Sequence, residues 1–195
     1  YFVREVGEFM KNAGFKYSIK GRSSISETLV ENLTTWDDLC KGEKVGVERI
    51  KKLYAAVPKQ GEDAVVKRGS AKLLDALAAD DAVDMDTLLD EFGLLRDASH
   101  AAYDILKVSA RERDYIEAIY RRGEDLMSAP RIKLSTFHAM KGGEDDNCVV
   151  LDKSTAACVN SDYPDDEHRA FYVGVTRARH NLYILLSGNK YRYPL

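Results

Sequence analysis

Three short, β-branched apolar runs, at 131–136, 148–152 and 182–187, occupy the last third of the chain. Stretches of helical periodicity, at 137–140 and 167–179, separate them. Strands that alternate with helices in this way run parallel, because the crossover helix carries the chain back to the same end of the sheet. The expected fold class is α/β.

Upstream the pattern differs. Residues 3–13 place Val3, Val6, Phe9, Met10 and Ala13 on one helical face, with Gly14 as the stop, and a short strand at 17–20 ends at Gly21. Strand signals are then few until Pro130. Helices are expected at 26–39 and at 47–57, where Val47, Ile50, Leu53 and Tyr54 recur at helical spacing. Residues 58–69 read as a loop. Ser70 is expected to cap a helix carrying Leu73, Leu74 and Leu77, and Asp86 a turn carrying Leu88, Leu89 and Phe92. A longer helical tract, from 98 to 126 with a break near 108–110, places Tyr115, Ile119 and Tyr120 on one side.

Charge follows the same division. Residues 31–130 carry −6 and the flanks +3, within a total of −3. An acidic helical segment between slightly basic ends implies two units. The expected domains are 1–40 together with 130–195, and a helical insertion over 41–129. No apolar run approaches the roughly 20 residues of a membrane helix, and the first residues do not form a signal peptide. Cys40, Cys148 and Cys158 form no CxxC pair, so a reducing, cytoplasmic setting is expected. His100, His168 and His180 are scattered without metal-ligand spacing, and no metal site is expected.

A phosphate-binding loop of the form GxxxxGK[ST] needs a Gly-Lys dipeptide, which occurs nowhere in the chain. Residues 148–152 have the layout of a magnesium-holding strand. Without the loop, Asp152 reads instead as a carboxylate capping a turn. The chain alone is not expected to bind and hydrolyse ATP.

Two segments carry the chemistry. In the first, Ser135 and Thr136 end a strand with a helix opening behind them, an arrangement that offers hydroxyls and free N–H groups to an anion. His138 adds a donor for the same phosphate, Gly142 and Gly143 permit close backbone approach, and Glu144 can accept hydrogen bonds from a ribose. In the second, which runs from Asp166 to Arg179, Phe171, Val175 and Ala178 face a core. Arg177 lies near the helix end, where a rigidly held guanidinium can stabilise charge on a transferring phosphoryl group.

In order and wording these segments resemble motifs V and VI of the UvrD/Rep family of superfamily 1 DNA helicases. The family forms are approximately [LMS]-[ST]-x-H-x-x-K-G-x-E and E-x-R-x-x-[FY]-V-[AG]-x-T-R-A. Residues 9–21 resemble the helix–Gly–strand–Gly stretch that follows motif IV. The resemblance covers about 1–30 and 130–195, and the acidic middle holds the position of the family's 2B insertion. One departure stands out: the family commonly has K-G-L-E-F, where this chain has Gly143 and Asp145, with Asp146 following. A Gly at that place is associated with phage-type members.

The resemblance implies a RecA-like (P-loop NTPase type) parallel sheet with a mostly helical insertion. It would be the second of two RecA-like domains that sandwich ATP and carry single-stranded DNA across their tops. Arg177 then matches the catalytic arginine finger, and Gly142, Glu144 and Arg177 match nucleotide contacts. Ser135, Thr136 and His138 match DNA phosphate contacts, and Arg22, after Gly21, is a further DNA candidate. ATP and Mg²⁺ would be held mainly by an N-terminal RecA-like half outside this sequence. That half and single-stranded DNA are the implied partners, with no membrane. Two other classes stay open: a non-catalytic DNA-binding or scaffold module derived from the helicase fold, and part of a helicase–nuclease. An inactive relative has no need to keep Glu144 together with Arg177, which favours the enzyme.

Overall fold

Helix α1 (Phe2–Asn12) stops where the sequence predicts a stop. Gly14 adopts φ +72°, and a Cβ there would lie 2.5 Å from the Ala118 carbonyl oxygen, so the position needs glycine twice over. The computed structural model to which α1 belongs describes residues 2–160 and 162–193.

Strands β1 (Tyr17–Ile19) and β2 (Arg22–Ser23) form an antiparallel hairpin with Ile19 opposite Arg22. Helix α2 (Glu27–Cys40) starts at Ser26, whose hydroxyl accepts from the Leu29 N–H. Its Trp36 is fully buried, and the indole N–H donates to the His100 carbonyl at 2.9 Å. After β3 (Val45–Gly46) and α3 (Val47–Ala56), a 3₁₀ turn spans Ser70–Ala76. Then follow β4 (Ala82–Val83), antiparallel to β3, and the helices α4 (Met85–Asp90), α5 (Ala102–Ile105) and α6 (Ala110–Arg121).

Three details of this part differ from the sequence pattern. Ser70 lies inside the 3₁₀ turn rather than capping it, and its hydroxyl donates to the Lys67 carbonyl at 2.7 Å. Asp84, not Asp86, caps α4, accepting from the Thr87 N–H at 3.0 Å, because the cap must sit three residues before the donor it satisfies. Tyr120 is 48% exposed while Ile116 is buried. The buried stripe of α6 is Tyr115, Ile116 and Ile119, and one further residue turns Tyr120 about 100° away from it.

Two apolar clusters hold this part together. One gathers Trp36, Leu39, Ile50, Leu53, Leu88 and Ile105; the other gathers Val30, Leu33, Tyr115, Ile116, Ile119 and Leu126. Beside the second, the buried Lys16 ammonium donates to the carbonyls of Asp125 at 2.9 Å, Leu126 at 2.7 Å and Ser128. Burial pushes its pKa down, but the three acceptors give the charge partners that an interior otherwise lacks.

Phe2–Ile132 form one compact unit, and the residues from Lys133 onward form another. Residues 2–40 thus group in space with the helical segment, since α1 packs on α6 and α2 on α3. The spatial boundary falls at 132/133, where the charge and hydropathy pattern puts boundaries at 40/41 and 129/130.

Strand β5 (Ile132–Leu134) crosses that boundary. In the second unit a 3₁₀ turn at His138–Met140 precedes β6 (Asp145–Leu151), and α7 (Ala156–Val159) and α8 (Pro164–Val175) precede β7 (Ala178–Leu185). β6 and β7 pair in parallel, from Cys148 opposite Leu182 to Leu151 opposite Leu185, with an irregularity between Asp145 and Asn147. The strand therefore begins three residues earlier than its apolar run, because the Asp145 N–H is bound by the Arg177 carbonyl at 3.0 Å. The architecture is mixed α/β, helices with small sheets. Among the described residues no helix is long and apolar enough to cross a membrane.

Candidate functional site

Helix α8 ends two residues before Arg177, and that ending sets the geometry of its guanidinium. Nε donates to the Val173 carbonyl at 3.0 Å, Nη1 to the Gly143 carbonyl at 3.2 Å, and Nη2 to the Thr176 hydroxyl at 3.1 Å. The hydroxyl in turn donates to the Tyr172 carbonyl at 2.9 Å. A guanidinium has five N–H groups, so two remain for a ligand. The side chain is half-buried, and it ties the end of α8 to the loop before β6.

That loop is open to a ligand. Gly142 sits at φ +83° with no atom within 4 Å of where a Cβ would be, and the Gly143 N–H donates to the Met140 carbonyl at 2.9 Å. Glu144 follows at once, with its carboxylate accepting from Arg179 Nε at 3.2 Å. Arg179 also stands 4.0 Å from Asp146, as does His180 at 3.8 Å, and Lys133 bonds Asp145 at 3.0 Å. The Lys133 hydrogen bond and the Asp146 N–H hold the Asp145 carboxyl below the usual carboxylate range. The departure from K-G-L-E-F is therefore a coherent local change. Apolar packing has been replaced by exposed ion pairs, each worth at most about 1 kcal/mol.

Motif V is joined to motif VI by aromatic packing. Phe137 meets the Phe171 ring edge-on at 5.7 Å, and Phe171 stacks on Tyr193 at 3.8 Å with the rings 3° from parallel. Gly174, one turn along α8, leaves room for Phe137: a Cβ there would lie 2.5 Å from the ring. Just before Phe137, the Thr136 hydroxyl accepts from the Ala139 N–H at 3.3 Å, and the Ser135 hydroxyl donates to the Thr136 carbonyl at 3.2 Å. Ser135, Thr136 and His138 are all exposed, and no described residue hydrogen-bonds the His138 ring.

One loop and one helix end thus bring Gly142, Glu144 and Arg177 together, with Ser135, Thr136 and His138 on the turn leading into them. Arg22 belongs to the other unit, exposed on β2. Phe171 is buried as its helical face predicts, whereas Val175 and Ala178 are only half-buried. Arg179 and Tyr193 were not legible as part of the site. Arg179 had a signal in the like-charged run 144–146 that it neutralises; Tyr193 had none.

Asp152 does cap a turn. It is 1% exposed, its Oδ1 accepts from the Ser187 N–H at 2.7 Å, and its carbonyl accepts from the Tyr193 N–H at 2.7 Å. Hydrogen bonding from Ser187 outweighs burial and holds its pKa below the ordinary carboxylate value. A depressed folded-state pKa stabilises above the unfolded value and is lost as pH falls through the folded one. The unit from Lys133 onward is therefore expected to lose stability below about pH 4. Thermal melts of Asp152→Asn should show a lower Tm at neutral pH and less of this acid dependence, and an identical pH profile would refute the assignment.

Residues 100–189 match the family model of the UvrD-like helicase C-terminal domain. No curated protein and no solved structure matches the chain. Both chemical segments lie within the matched span, and Arg177 and the Phe137–Phe171 contact hold them together. Over residues 100–189 the chain is similar to a UvrD-like helicase C-terminal domain.

Proposed function

We propose that this chain is the C-terminal part of an ATP-dependent DNA helicase or translocase. In this reading 1–40 and 130–195 make the second RecA-like domain, and 41–129 replace the 2B subdomain. The observation that carries it is the Arg177 guanidinium, fixed by carbonyls of both motifs with two N–H groups to spare. A cation held this way needs little reorganisation to meet charge developing on a γ-phosphate.

The open backbone at Gly142 fits close approach by a nucleotide, and Glu144, steadied by Arg179, is placed to accept from its ribose hydroxyls. Ser135, Thr136 and His138 bind phosphates of single-stranded DNA, with Arg22 as an additional contact. ATP and Mg²⁺ are held mainly by the N-terminal RecA-like half of the parent protein, in the cytoplasm. Each closure of the two halves on ATP brings Arg177 to the phosphates and moves the strand contacts of motif V.

The alternatives are a non-catalytic DNA-binding or scaffold module derived from the same fold, and part of a helicase–nuclease. The parent protein should hydrolyse ATP faster when single-stranded DNA is added. The 195-residue chain should hydrolyse none and bind single strands weakly and salt-sensitively. A parent that binds single strands but hydrolyses no ATP would favour the non-catalytic module.

A further inference from the structure

Beyond β7 the chain turns back on itself. The Ser187 hydroxyl accepts from the Asn189 N–H at 3.3 Å, and the Asn189 side chain accepts from the Tyr191 N–H at 3.1 Å. Short polar side chains that bond the backbone two residues on are what a tight reversal needs. Residues 191–193 then run antiparallel beside 152–154. The Ser154 N–H donates to the Tyr191 carbonyl at 3.0 Å, and Lys153 stands opposite Arg192. Asp152 holds both ends of this return segment, its carboxylate at Ser187 and its carbonyl at Tyr193.

The return delivers Tyr193 to α8, whose seat is narrow: of its described residues only Phe171 and Gly174 are buried. Phe137 fills the space left by Gly174 and meets Phe171 edge-on, while Tyr193 lies parallel to the Phe171 ring at 3.8 Å. The Tyr193 hydroxyl also shares a hydrogen bond of 2.7 Å with His168 Nδ1. His168 and Phe171, three residues apart, are neighbours on one side of the helix. A stack on one and a hydrogen bond to the other restrain both sliding and rolling. Phenylalanine at 193 would supply only the first. At the far end of α8, Arg177 Nε bonds the Val173 carbonyl at 3.0 Å, so the guanidinium follows the helix.

We propose that Tyr193 is a positioning residue for Arg177. Anchored by Asp152 and gripping His168 and Phe171, it fixes the pose of α8, and with it the place where the guanidinium meets charge on the transferring phosphoryl group. The proposal rests on the reading of Arg177 as an arginine finger, and it adds a residue outside both chemical segments. Displacing a reacting group by about 1 Å can cost on the order of 10²-fold in rate, so a seat this narrow has kinetic consequences.

The test is a kinetic cycle in the parent protein, with ATP hydrolysis measured at saturating single-stranded DNA beside thermal melts. Tyr193→Leu should lower kcat about 10–100-fold with the KM for ATP held within about twofold. Tyr193→Phe keeps the stack and should recover most of the rate, leaving a loss of about threefold, the worth of one neutral hydrogen bond. His168→Ala should match it, and the two together should lose no more than either alone, since both remove the same bond. In an Arg177→Ala background Tyr193→Leu should cost nothing further, because its effect passes through the guanidinium. A residue that merely held the fold would lower the residual rate again. Tyr193→Phe closes the same cycle should the leucine variant unfold. A further loss in the Arg177→Ala background, or full kcat in Tyr193→Leu alone, overturns the positioning role and leaves the finger intact. Retention of kcat by Arg177→Ala itself overturns the finger and this role with it.

Discussion

Replacing Arg177 with alanine in the parent protein is expected to lower kcat for DNA-stimulated ATP hydrolysis by about 10³–10⁵-fold, the range found for arginine fingers. The KM for ATP should change little, because the interaction forms chiefly as charge moves onto the transferring group. Arg177→Lys is not expected to rescue. Lysine brings the charge, but its ammonium lacks the planar fork by which Nε and Nη1 reach the Val173 and Gly143 carbonyls. Because those two bonds also bridge α8 to the loop before β6, the variants need melting curves as controls. A drop in kcat with Tm held within a few degrees assigns the loss to chemistry. A variant that retains kcat within tenfold would refute the finger, and with it the central residue of the proposed function.

What the sequence made legible was local. Positions that satisfy their own neighbourhood, such as Gly14 ending α1 and Asp152 closing the turn at Ser187, were readable because cause and effect lie close in the chain or follow from one residue's chemistry. The two chemical segments were readable for the same reason, each being a short run of fixed order. What escaped depends on distant partners. Lys16 looks like a surface lysine until the carbonyls of 125–128 close around it, more than a hundred residues away. Tyr193 has no periodicity to announce it, yet it stacks on Phe171. The grouping of residues 2–40 with the helical segment also escaped, since composition records what a segment is made of and not which helix it packs on. The Asp145–Asp146 departure could be seen but not interpreted without Lys133, Arg179 and His180 facing it.

The second unit has little core to lose, which makes Phe171 its most sensitive position. Among its described residues only Val150 and Phe171 are buried apolar side chains of any size. Truncating a buried phenylalanine costs about 3–5 kcal/mol, a large share of the 5–15 kcal/mol that ordinary domains possess in total. Phe171→Ala would also release Phe137 on one side and Tyr193 on the other, so the motif V turn and the strand-end turn at Asp152 loosen together. Limited proteolysis should therefore cut the variant first beyond residue 133, while fragments of the Phe2–Ile132 unit persist. Phe171→Leu keeps most of the volume and should cost under about 1.5 kcal/mol, leaving the digestion pattern close to that of the unaltered chain. In the parent protein the alanine variant should lose ATPase and DNA stimulation together, because Arg177 and the turn at 135–138 depend on one aromatic contact. Were Phe171→Ala to melt and digest like the unaltered chain, the stack would be incidental, and the link between the two motifs would rest on the hydrogen bonds of Arg177 to Gly143 and Asp145 and of Arg179 to Glu144.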